Sequence, residues 1–304
     1  MMFAFIDADA GGGAPVVACL LRTWSVPIGP LIVMAVALVL YLRGWRVARK
    51  TRERELPAWR AVSFGCGIVF LWIAIASPID ALDDFLLTAH MIQHFILMSI
   101  APPLIVLGAP VVPMLRGMPR MIVSGLRPAF RAKWLRIVVR VLTHPVTAWM
   151  AMNVAFVGWH VPAAFELTFK SEQIHEFEHL CFFATSLLFW WVVLEPWPAK
   201  ERWPRWTMIP YLLSADIVNT ALSATLAFAG KVLYPEYAAA PRVCFLSPLK
   251  DQVAAGSEMW VLNSIVMLLP AVVIAVRELS PRWTERTEPT MGHKTVRGLE
   301  GSRN

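Results

Sequence analysis

Two pairs of histidines four residues apart, His90 with His94 and His175 with His179, each open a strongly apolar stretch. Residues at this spacing share one face of a helix, one turn above the other. Two imidazoles so placed can hold one metal ion together, or each can serve as an axial ligand. A fifth histidine, His160 in the run GWHVP, ends another apolar stretch. Neutral imidazole suits copper, zinc, iron and nickel, and a thioether adds preference for Cu(I). Met98 stands one turn beyond His94 on the same face, and Met259 opens the last apolar stretch. Met91, beside His90, points elsewhere on its helix, and any such methionine is more often there for packing. Cys181, two residues past His179, turns to roughly the opposite side.

The elements that carry these residues are membrane spans. Of 304 residues, 57% are hydrophobic and only 16% charged, against about 25% charged in a soluble domain. The expected fold is all-α: a polytopic helical bundle with seven transmembrane helices, each needing roughly 20 apolar residues. They fall near 25–43, 60–77, 85–108, 143–161, 176–195, 208–229 and 256–276. This divides the chain into an outer segment 1–24, a membrane domain 25–276 and a basic tail 277–304. The start, MMFAFIDADAGGG, lacks the basic residues of a signal peptide. Pro102-Pro103 should break or kink the third span. Asp216 and Asn219 should turn the sixth toward the bundle interior. The four cysteines show no C-x-x-C spacing, which argues against thioredoxin-like or zinc-ribbon chemistry.

Basic residues alternate between loops. The first, third and fifth connections and the tail hold 23 of the 28 Lys and Arg, and the opposite side holds five. The positive-inside rule then places the N-terminus periplasmic and the C-terminus cytoplasmic. The net charge of +7 reflects topology rather than nucleic-acid binding. With this orientation His90, His94, His160, His175 and His179 all fall near the outer face, although the histidines played no part in assigning it. The alternative is five interfacial histidines near water. His144 lies at the other end of the fourth span and His293 in the tail, both apart from the site. Acidic residues gather at the outer end too: Asp80, Asp83 and Asp84 before the third span, Glu176 and Glu178 around the second histidine pair, and Asp251 and Glu258 around the seventh. They suit orientation of imidazole N–H groups or attraction of cations.

Three blocks in order carry a resemblance: SPIDALDDFLLTAHMIQHFILMSIAPPLIVLGAP, WHVPAAFELTFKSEQIHEFEHLCFFATSLLFWWVVLEPWP and LYPEYAAAPRVCFLSPLKDQVAAGSEMW. They resemble the caa3-type, CtaG-like family of cytochrome c oxidase assembly factors over about residues 77–276. One departure is the single Gly256 between Asp251-Gln252 and Met259-Trp260, where that family usually has a glycine pair. The resemblance implies an integral protein of the bacterial inner membrane that matures a haem–copper oxidase through copper, without catalytic turnover. It implies His90, His94, His160, His175 and His179 as metal residues. The implied partners are oxidase subunits, the lipid bilayer and periplasmic copper chaperones. From the residues alone other readings stay open. One is b-type haem held by a histidine from each of two helices, with Trp159, Trp190 and Trp191 lining its pocket. Another is a transporter using Asp216, Asn219 and the Pro102-Pro103 break. A membrane di-iron oxidase fits worse, since the chain has no adjacent His-His pair.

Overall fold

The computed structural model describes residues 24, 26–199, 202–241 and 246–280, and all regular structure among them is helical. The segment expected to precede the first span and the basic tail lie almost wholly outside the described residues, as does His293. The chain opens with α1 (Ile28–Arg49), α2 (Ala58–Ala76) and short α3 (Pro78–Leu82). Then come α4 (Leu87–Phe95), a π-helical turn (Ile96–Ile100) and α5 (Ala101–Leu107). Short α6 (Val111–Gly117) leads to α7 (Arg120–Arg131), α8 (Lys133–Leu142), α9 (Pro145–Trp159) and α10 (Pro162–Lys170). The long α11 (Glu172–Leu194) is followed by α12 (Met208–Phe228), one-turn α13 (Pro235–Ala239) and α14 (Pro248–Leu279).

Six helical stretches among the described residues are long and apolar enough to cross a bilayer: Ile28–Arg49, Ala58–Leu82, Leu87–Leu107, Glu172–Leu194, Arg205–Phe228 and Pro248–Leu279. A seventh exists only if α8 and α9, bent by 62° at their junction, form one span. The expected fourth span at 143–161 is thus reduced to the 15 residues of α9. At about 1.5 Å per residue that is roughly 22 Å, short of a hydrocarbon core of about 30 Å. The cause is local: Pro145 has no N–H to continue α8, so a new helix begins there with His144 as its cap. Aliphatic side chains on α1 (Val33, Val36, Val39) and α14 (Ile265, Leu269, Val272) remain exposed, as lipid-facing surfaces must. The molecule is a multi-pass helical membrane protein. Neither α7 nor α8 buries any side chain, and exposed Met121, Ile122, Trp134 and Ile137 alternate with their arginines.

The proline pair acts upstream of where it stands. Pro102 has no N–H for the carbonyl of Met98, four residues back. The helix widens into the π turn, where the N–H of Ala101 reaches the Ile96 carbonyl five residues earlier. The freed Met98 carbonyl accepts instead from the Trp190 indole N–H at 3.1 Å. The break expected from Pro102-Pro103 therefore lies at 96–100 and links this helix to α11. The last helix starts eight residues before the expected 256, because Pro248 occupies its first turn and the Ser247 hydroxyl accepts from the Lys250 N–H at 3.3 Å. Gly256 lies inside that helix. A Cβ there would meet the Ala227 nitrogen at 2.7 Å and the Ser223 carbonyl oxygen at 2.9 Å. This one glycine lets α12 and α14 approach backbone to backbone. Asn219 is buried and donates to the Met259 carbonyl at 3.4 Å, and half-buried Asp216 accepts from the Ser264 hydroxyl at 2.8 Å. Both face α14, as expected.

Candidate metal centre

The start of α4, the end of α9 and the start of α11 meet at one end of the bundle. Nothing local caps α4: Leu86 offers no side-chain hydrogen bond. Its first N–H groups are met from α14, where the Asp251 carboxylate accepts from Leu87 N at 2.7 Å, Thr88 N at 3.1 Å and the Thr88 hydroxyl at 2.6 Å. Gln93, between the two histidines of α4, donates to the Ala74 carbonyl at 2.8 Å and to Asp80 at 3.0 Å. Tyr234 donates to the His160 carbonyl at 2.8 Å, and Tyr237 to that of Asp83 at 2.6 Å. Histidine-bearing backbone is thereby clamped by side chains far away in sequence.

All five rings come together. Centroids of His90 and His94 are 4.1 Å apart, those of His175 and His179 4.2 Å. Across the helices His90 stands 5.2 Å from His175, and His94 stands 5.5 Å from His179 and 6.2 Å from His160. The ligand atoms close enough to share one ion include three of the expected five histidines and add a glutamate. One atom each from His90, His94, His175 and Glu178 lie within 4.8 Å of one another. His160 and His179 flank this quartet. Glu178, fully buried, has Oε2 at 3.8 Å from His94 Nε2. Three residues after His175, it shares that histidine's helix face; this spacing was legible in the sequence, but read as orientation rather than ligation. Ligands about 2.1 Å from one tetrahedral ion would be about 3.4 Å apart, so modest side-chain shifts would close the quartet.

The polar atoms of this cluster lack partners. Nε2 of His90, His94, His160, His175 and His179, Nδ1 of His94 and both Glu178 carboxylate oxygens are buried with no hydrogen bond. An unmet buried polar group costs about 1–3 kcal/mol, and here several converge. Imidazole nitrogens and a carboxylate are the donor set of a transition-metal ion, so the residues fit one. For His160 the tautomer follows from chemistry. Its Nδ1 lies 2.7 Å from the Phe156 carbonyl, which can only accept, so the proton is on Nδ1 and the Nε2 lone pair is free.

A cleft of about 980 Å³ leads to the cluster. Its lining combines the carboxyls of Asp80, Asp83, Asp84, Glu172 and Glu176 with apolar Val26, Pro27, Leu71 and Ile75, and includes His175 and His179. The nearly buried Asp83 has Oδ2 at 3.7 Å from His175 Nε2. Burial first, then the neighbouring carboxyls of Asp84 and Asp80, hold the Asp83 carboxyl well above the usual carboxylate range. A cation arriving beside it would reverse that preference.

Other candidates are placed elsewhere. Met98 sits in the π turn, Met259 is buried on α14 with its carbonyl accepting from Asn219, and Cys181 is not in the quartet. His144 is exposed, accepting from Val146 N at 3.3 Å and packing on Trp203. The three tryptophans do not share a pocket: Trp159 packs on Phe177, Trp190 donates to Met98, and Trp191 lines a separate cavity with Glu195 and Arg202.

Residues 39–280 match the family model of the cytochrome c oxidase caa3 assembly factor. An uncharacterized protein of Mycobacterium bovis is 24% identical over 280 residues, covering 86% of this chain and 40% of its own length. One of Mycobacterium leprae is 24% identical over 265 residues, covering 84% of this chain and 39% of its own. The chain thus spans about two fifths of the length of the curated relatives it matches. No solved structure matches it.

Proposed function

The chain belongs to the cytochrome c oxidase caa3 assembly factor family, and we propose that it serves haem–copper oxidase assembly by holding a copper ion at the histidine–glutamate centre. The ion is cargo, and the role is binding and release without catalytic turnover. The observation that carries this reading is the convergence of unpartnered, buried imidazole nitrogens and one carboxylate on a single point. A scaffold would have satisfied those atoms; a binding site leaves them for its ligand. The acidic cleft draws cations toward the centre. His175 and His179, half-buried, line that cleft, and the buried His90 and His94 do not. Asp83 stands beside His175 to balance charge as the ion enters. His160, its proton held on Nδ1, presents a lone pair at the back of the cluster. The bias of basic residues toward the opposite loops supports a centre facing the periplasm, where copper chaperones would deliver.

Packing favours a single ion over haem. Rings at 4.1–5.5 Å from one another, closed in by Phe165 and Phe182, leave no slot for a porphyrin. The test is copper titration of the full chain, purified without a histidine tag, against a competing chelator, alongside a deletion strain. Expected are saturable copper binding that His94→Leu removes, and cells that make the oxidase polypeptides but show low oxidase activity, partly restored by added copper. A haem spectrum in the purified protein, with normal oxidase activity in the deletion strain, would overturn the proposal.

A further inference from the structure

One turn below the histidines a second polar feature is buried in the bundle. A cavity of about 20 Å³ is lined by Met98 from the π turn, Met152 from α9 and Met267 from α14, with Asn219 and Asn263 beside them. All five side chains are nine-tenths or more buried. Ser99, also on its wall, donates its hydroxyl to the Asn263 amide oxygen at 2.6 Å. Phe156 is the partition: it lines the cavity, its ring is 4.8 Å from that of His160, and its carbonyl takes the His160 proton.

We propose that this cavity is a second metal site, for one soft monovalent cation such as Cu(I) or Ag(I), held by the thioethers of Met98, Met152 and Met267. A lone methionine in a helical core is filler. Three from separate elements, meeting at one void that two carboxamides also line, are a donor set. Polar residues inside a membrane bundle mark function by default. The volume suits an occupant the size of one water molecule. Thioethers select soft ions. No charged side chain lines the void, so nothing there offsets the desolvation of a doubly charged ion, and a singly charged one is favoured. The wide turn places the Met98 side chain at the void while its carbonyl is held away by Trp190. The proposal does not depend on the histidine centre.

The probe is Ag(I), read by NMR of the full chain in detergent with its methionine methyl groups labelled. Three methyl resonances should move on silver addition, those that Met98→Leu, Met152→Leu and Met267→Leu each delete. Leucine conserves volume at such positions, and the triple variant should take up one equivalent of silver less. In the double variant His90→Leu, His94→Leu the three resonances should still move, so loss of the histidine centre and loss of this site read differently. Should the triple variant fail to fold, the wild-type spectrum still decides. The inference is overturned if those three resonances stay fixed while the protein takes up silver, or if only exposed methionines such as Met121 and Met150 respond.

Discussion

Two groups of buried polar residues lie at the same end of this bundle and behave in opposite ways. Asp251 and Gln252, on the first turn of α14, have every side-chain polar atom engaged. The Asp251 carboxylate caps α4, and Gln252 donates to the carbonyls of Leu226 and Lys231 and accepts from Leu233 N. On α4 and α11, His90, His94, His175 and Glu178 leave buried nitrogens and oxygens unmet. Burial and polarity alone do not separate the groups. Satisfaction does: the first stabilises the helices that hold the second in place, and the second leaves its donor atoms open.

The largest effect should come from Asp251→Ala. It strands the backbone N–H groups of Leu87 and Thr88, leaving the Thr88 hydroxyl only the residue-251 carbonyl at 3.2 Å, and should destabilise the protein by about 3 kcal/mol, seen as a lower melting temperature in detergent. An unchanged melting temperature would erase the contrast. Glu178→Gln and His94→Leu should do the reverse. Copper affinity should drop by about 100-fold or more, as removing a metal ligand or its close support does. Their copper-free melting temperatures should match or exceed wild type, since each replaces a buried carboxyl or imidazole whose polar atoms are unmet. Copper at about 100 times its dissociation constant should stabilise wild type by about 2.7 kcal/mol and leave these variants unmoved. Acidity provides a smaller, graded test. Imidazole binds metal only when neutral, and buried imidazoles resist protonation, so copper affinity should change little from pH 7 to 6 and fall only in more acid solution. A loss of affinity already complete at pH 6 would show instead that the imidazoles stand open to water. Least of all should His144→Ala matter: up to about 1 kcal/mol of helix capping, with copper binding intact.

Much of the second group was legible because its signals are local. An i, i+4 histidine spacing needs only helical periodicity, and placing all five histidines at one end needs only span boundaries. Glu178 was readable as an i+3 partner of His175, yet a carboxylate at a helix start has so many ordinary reasons to be there that spacing alone did not promote it. The first group was hidden because its partners are remote: Asp251 meets Leu87 and Thr88 across 164 and 163 residues, and no periodicity encodes that. Hydropathy also delayed the start of α14. Lys250, Asp251 and Gln252 read as loop, although Ser247-Pro248 is a helix-start signal. The fourth span shows another limit: the expected 143–161 matches the helix Pro145–Trp159, but hydropathy does not show that this helix is only 15 residues long or that the backbone bends by 62° where it begins.

The π turn at Ile96–Ile100 also bears on descent. Such a turn takes up one extra residue by widening locally, so the helix on either side keeps the facing it would have in an uninterrupted α-helix one residue shorter. His90 and His94 on one side and the proline pair on the other are therefore insulated from that residue. A homologue with one residue fewer between Phe95 and Ala101 would still superpose at both ends. A gap there in an alignment would record the insertion that opened the turn, with the histidine face unaltered. A single-residue gap between His90 and His94 would instead rotate one imidazole by about 100° off the shared face, and no lineage that kept the centre could carry it.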